Sequence, residues 1–180
     1  MATFHLHLPE ARIVSLAITY HLGRPGSETD AATLQRHSLG LGPVLDSLGP
    51  QLSGDAGAPE VVELELSAYQ VTRLGAALHG TVNELKQFGM ADGRSAVPGF
   101  AEAFARLFPD ATEDGRGTDA LDLVPHAVGL RRRLAEAVRE AEAEVEAARE
   151  AERIEAERQR RGRLARIWRR IAGWFASRGG

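Results

Sequence analysis

Apolar and polar residues alternate one for one in two stretches near the start of the chain, FHLHL at 4–8 and VSLAITYHL at 14–22. A period of two is that of a half-buried strand, so both stretches are expected to be strands, with Val14, Leu16, Ile18, Tyr20 and Leu22 on one face. Pairing Leu8 with Val14 and Leu6 with Leu16 matches the apolar faces and leaves PEARI at 9–13 as a loop, whereas a slip of one residue mixes them. The expectation is an N-terminal antiparallel hairpin. In that register His5 and His7 share the outer face with Ala17 and Ser15.

VVELELS at 61–67 alternates again, with Val62, Leu64 and Leu66 facing inward and Glu63 and Glu65 outward, which adds a third strand. The period changes at Ser67. Ser67 and Gln70 have the spacing of a capping box, in which each side chain binds the other residue's exposed N–H, so a helix is expected over 68–88. Val71, Leu74, Leu78, Val82, Leu85 and Phe88 form its apolar stripe, and Gly89 is placed as a left-handed stop.

A shorter helix is expected over 98–108, between Pro98 and Pro109, with Phe100, Phe104, Leu107 and Phe108 on one side. GRPGSETD at 23–30 is turn chemistry, residues 31–52 read as short helical pieces broken by Gly40, Gly42 and Pro43, and SGDAGAPE at 53–60 reads as a loop. The fold class expected is α+β. It comprises a small antiparallel sheet of three strands, the N-terminal hairpin plus strand 61–66, covered by helices and followed by a long charged C-terminal helix. No internal repeat is visible in the sequence.

The domain organisation expected is a globular body at 1–112, a linker or hinge at 113–119, a charged helical arm at 120–160 and a basic amphipathic helix at 161–180. Leu130, Leu134, Val138, Ala141, Val145 and Ala148 give the arm a seam at first. Beyond it the apolar residues thin out, and Glu146 with Arg149, Glu150 with Arg153, Glu155 with Arg158 and Glu157 with Arg160 fall three apart. Each such pair contributes a few tenths of a kcal/mol, so the arm is expected to be solvated or weakly paired with another copy, as in a coiled coil.

Composition narrows the class. Hydrophobic residues at 43% and charged residues at 26% suit a globular body, and 180 residues suit one domain with an appendage. The absence of cysteine excludes disulfides, thiolate catalysis and thiolate metal sites in this chain. MATFHLHLPEARIV lacks a basic stretch ahead of an apolar run, and no segment has the length of a membrane span. A cytoplasmic protein is expected, with peripheral attachment at the inner face of the membrane as the option that the C-terminus opens.

The net charge of −3 hides a split: eight arginines and no acid lie in residues 158–180, so residues 1–157 carry 14 − 25 = −11. Both tryptophans are in that basic end. At 100° per residue, Leu164, Ile167, Trp168, Ile171, Trp174 and Phe175 gather in one arc with Ala172, while Arg163, Arg166, Arg169 and Arg170 occupy the other side. Arg178 strays into the apolar sector. A helix entering a nucleic-acid groove has no use for a continuous apolar face, so nucleic acid is the less favoured partner. What covers the face is the body itself, another protein chain or a lipid headgroup layer.

Catalytic signals are weak. His5 and His7 are two ligands without a third; His79 and His126 have no partner assignable from sequence; Asp46 with Ser47, and Asp119 with Asp122, read as caps and surface; NELK at 83–86 reads as helix surface. No nucleophile elbow, phosphate loop, dinucleotide fingerprint or zinc-protease helix occurs. The function expected is that of a non-enzymatic adaptor or scaffold, with no cofactor and no metal. Its expected docking residues are Leu164, Ile167, Trp168, Ile171, Trp174 and Phe175, and its anion contacts Arg163, Arg166, Arg169 and Arg170. Their partner is an anionic membrane surface or a protein. The alternatives are a self-assembling homo-oligomer with a helical interface, and a nucleic-acid binder using the arginine-rich tail.

Overall fold

A computed structural model of the chain describes residues 2–27, 40–52, 60–112 and 118–176. For Thr112, Thr118, Asp119, Ala141, Glu144, Val145, Ala148, Ala151 and residues 155–176 it describes the main chain alone. The described residues are mostly helical, with a small antiparallel sheet of two strands. The loop expected at 53–60 lies outside them apart from Glu60, as does most of the linker expected at 113–119.

Strand β1, Ala2–His7, runs directly into helix α1, Leu8–Gly23. The expected hairpin is therefore wrong: residues 14–22 are helix, and β1 pairs with β2, Val61–Leu66, with Phe4 opposite Leu64 and His5 opposite Glu63. The helix start was written in the residues taken for a loop. Pro9 sits in the first turn, and the Glu10 carboxylate accepts a hydrogen bond from the His7 N–H at 3.0 Å, as a capping box requires.

The alternation at 14–22 misleads because α1 is buried nearly all round, so its apolar residues trace no single stripe. Ile13, Val14, Ser15, Leu16, Ala17 and Ile18 are all buried in succession. Both strands, helix α2 (Gly42–Leu52), helix α3 (Ala68–Met90) and helix α4 (Phe100–Leu107) all pack on α1.

Helix α3 starts as the sequence predicts. Gln70 N–H donates to Ser67 Oγ at 3.2 Å, and the Gln70 side-chain Oε1 accepts from Ser67 N–H at 2.9 Å. The stop differs: Gly89 stays helical, and the left-handed residues are Asp92 (φ 49°) and Gly93 (φ 76°). Gly93 N–H reaches back to the Phe88 carbonyl at 2.9 Å, the long-range bond of a Schellman end, and Asp is among the few residues besides Gly to tolerate that backbone. In α4, Phe100, Phe104 and Leu107 are buried, and Phe88 meets Phe100 edge-on at 5.5 Å between ring centroids.

The two strand-helix units repeat one another in form. N-cap His7 corresponds to N-cap Ser67, and Glu10 to Gln70, each 60 positions on (67 − 7, 70 − 10). The same offset relates Phe4 to Leu64, which face each other across the ladder, and Tyr20 to Gly80, where α1 and α3 touch. Buried apolar residues recur at the same offset, as in Val14 with Leu74 and Ile18 with Leu78, although few of the residues so related are identical.

Helix α5 spans Leu123–Ala176, preceded by a 3-10 turn at Thr118–Asp122 that packs on α3. Packing divides the chain into two compact units, Met1–Val138 and Arg139–Gly180. In the first unit Ala127, Leu130 and Leu134 of α5 are buried with the core. In the second, Arg153 pairs with Glu150 at 2.8 Å, and Ile154 is 44% exposed.

Candidate functional site

The docking residues Leu164, Ile167, Trp168, Ile171, Trp174 and Phe175, and the anion contacts Arg163, Arg166, Arg169 and Arg170, lie on main chain within α5. Their side chains lie outside the described residues. No helix among the described residues is long and apolar enough to cross a membrane.

The described charged chemistry gathers on the outer face of the sheet and, within the first unit, where the start of α5 meets α3 and β1. Thr3, His5 and His7 on β1 and Val61, Glu63 and Glu65 on β2 are exposed, because alternate strand residues face away from the helices. His5 therefore stands opposite Glu63, and His7 opposite Val61, in place of the Ala17 and Ser15 expected from the hairpin. Among the described residues no group of three His, Cys, Asp or Glu side chains is placed to hold a metal ion.

Arg133 of α5 crosses to the edge of β1. Its guanidinium pairs with the Glu10 carboxylate and donates to the His5 carbonyl at 3.5 Å, so one carboxylate both caps α1 and anchors the arginine. Two residues earlier, Arg131 Nη1 lies 2.5 Å from His79 Nδ1. Arginine only donates, so His79 accepts at Nδ1 and carries its proton at Nε2. His79, without an assignable partner in the sequence, is thus a contact between α3 and α5, while His126 is exposed.

NELK is not all surface. Glu84 is buried at 7% exposure, and its carboxylate accepts a 2.5 Å hydrogen bond from Ser95, whose oxygen in turn accepts from the Val97 N–H at 3.0 Å. This arrangement satisfies a buried carboxylate and fixes the approach to α4; no third catalytic group joins it in these contacts. Glu84 escaped sequence reading because it lies next to the stripe residue Leu85. Asp46 is exposed, and Ser47 donates to the Val44 carbonyl at 2.8 Å within α2.

The chain matches no protein-family model, no curated protein and no solved structure.

Proposed function

We propose that the chain is a non-enzymatic adaptor that its C-terminal basic amphipathic helix docks on an anionic membrane surface. The observation that carries this reading is the segregation of residues 161–180: Leu164, Ile167, Trp168, Ile171, Trp174 and Phe175 fall on one arc, arginine on the other, and no acid occurs from 158 to 180. A helix packed in a protein core has no need to exclude acids from its solvent face. A helix lying among anionic headgroups does, and it places tryptophan where an amphipathic ring is favoured.

Each basic residue near an anionic leaflet contributes about 1 kcal/mol, on top of apolar burial, which suits reversible attachment. The arm before the tail carries nine glutamates against three arginines in residues 136–157 and is repelled by the same lipids. The tail alone is then the attachment point, and the protein is cytoplasmic and peripheral.

Co-sedimentation with vesicles tests the proposal, using the full chain and a truncation ending at Gly162, with and without anionic lipid. The expected result is pelleting that needs both the tail and anionic lipid. Equal pelleting of the truncation, or none at all, overturns it. Loss of an oligomer on truncation, read by light scattering, would instead favour the self-assembling reading.

A further inference from the structure

A two-stranded sheet has two open edges, and here they are treated differently. The Glu10 carboxylate takes the His7 N–H and the Arg133 guanidinium the His5 carbonyl, so the odd-numbered main-chain groups of β1 face away from β2. In an antiparallel ladder both groups of a residue point the same way, and the register pairs odd with odd. Val61, Glu63 and Glu65 therefore direct their N–H and C=O groups to the outer edge of β2.

An arginine covers the His5 carbonyl, whereas among the described residues no side chain donates to the Glu63 or Glu65 carbonyl. The next N–H along, that of Ser67, is taken by Gln70 as that of His7 is by Glu10. Among the described residues, what stays open on β2 is a run of three residues, flanked by the exposed carboxylates of Glu60, Glu63 and Glu65.

We propose that the β2 edge is a docking site for an extended peptide carrying basic residues at alternate positions, which adds to the sheet as a third strand. Main-chain hydrogen bonds to Val61, Glu63 and Glu65 hold the strand. Its arginines or lysines lie beside Glu63 and Glu65 on the outer face, where opposite charges on neighbouring strands attract. Its alternate residues turn to the face shared by Val62, Leu64 and Leu66 and are best apolar. A second copy is the wrong occupant: centring β2 on itself sets Glu63 against Glu63 or Glu65, and like charges directly opposite are destabilising. The site is independent of the tail and of membrane attachment.

The test uses the full chain and a peptide of about eight residues alternating arginine and valine, a length typical of an added strand. A peptide of the same composition with its arginines in one block is the control. Amide exchange of Val61, Glu63 and Glu65 is expected to slow by about tenfold or more at saturating alternating peptide, while Val62 and Leu64, already bonded to β1, change little. Glu63→Pro removes an edge N–H without touching the ladder and is expected to abolish binding; Glu63→Lys with Glu65→Lys keeps the backbone intact and is expected to weaken it strongly. Equal binding of the two peptides, or binding insensitive to both sets of substitutions, overturns the proposal. So does protection of the three amides in the free protein, whether constant, which means the chain covers its own edge, or rising with concentration, which means that copies pair.

Discussion

Gly23 and Pro98 meet main chain to main chain: a β-carbon on Gly23 would stand 2.6 Å from the Pro98 carbonyl oxygen and 2.9 Å from a Val97 methyl. The contact fastens the end of α1 to the turn that opens α4, and the backbone on the far side has little room to yield.

Gly23→Ala is therefore expected to destabilise the protein by about 1–3 kcal/mol, the usual cost of forced overpacking. Gly75→Ala, in the interior of α3 with nothing within 4 Å, is expected to stabilise it by about 0.5–1 kcal/mol through helix propensity. Gly80→Ala falls between, since the obstacle is the ring end of Tyr20. Urea unfolding midpoints at unchanged slope give the order.

Removing the Ser95 hydroxyl leaves the buried Glu84 carboxylate without the donor it has at 2.5 Å. Ser95→Ala is expected to cost about 1–3 kcal/mol, the penalty of an unsatisfied buried acceptor, and adding Glu84→Ala is expected to cost less than the sum of the two single changes. A double-mutant cycle on unfolding free energies measures the difference.

Arg133 and Glu10 form a half-exposed ion pair, with side chains 52% and 21% exposed. Their coupling in a double-mutant cycle is expected to be about 0.5–1 kcal/mol and to shrink with added salt. Arg133→Ala is expected in addition to speed amide exchange at His7 at the β1 edge, because Glu10 loses the charge that holds it in place as a cap.

Caps and short amphipathic segments were legible in the sequence, and long-range placement was not. Ser67 with Gln70 announced α3 because the information is local, three positions apart. Phe100, Phe104 and Leu107 announced α4 because one side of it stays wet. Helix α1 was misread because burial on all sides erases the 3.6-residue period, leaving Val14, Leu16, Ile18 and Tyr20 to mimic a strand; Pro9 and Glu10, which start the helix, fell in the stretch assigned to a loop. The Arg133 bridge to His5 spans 128 positions, a distance no local pattern encodes. The tail residues are the reverse case, read from their wheel alone.

Trp168 and Trp174 are the protein's two tryptophans, so intrinsic emission reports on the C-terminal helix without any label. If that helix enters a headgroup layer, anionic vesicles are expected to shift the emission to the blue, and Arg166→Glu with Arg170→Glu to suppress the shift. An emission spectrum already blue in buffer and unmoved by vesicles would mean that a protein surface covers the rings.

The pairing of Phe4 with Leu64 also sets a clock on synthesis. The hydrogen bonds of helix α1, its cap included, are all local in sequence. The apolar side of β1 has to wait for β2, about 60 residues later, which at 5–20 residues per second is roughly 3–12 s. During that interval the side of β1 that carries Phe4 and Leu6 lacks its partner strand, and only the alternate Thr3, His5 and His7 make the waiting segment polar.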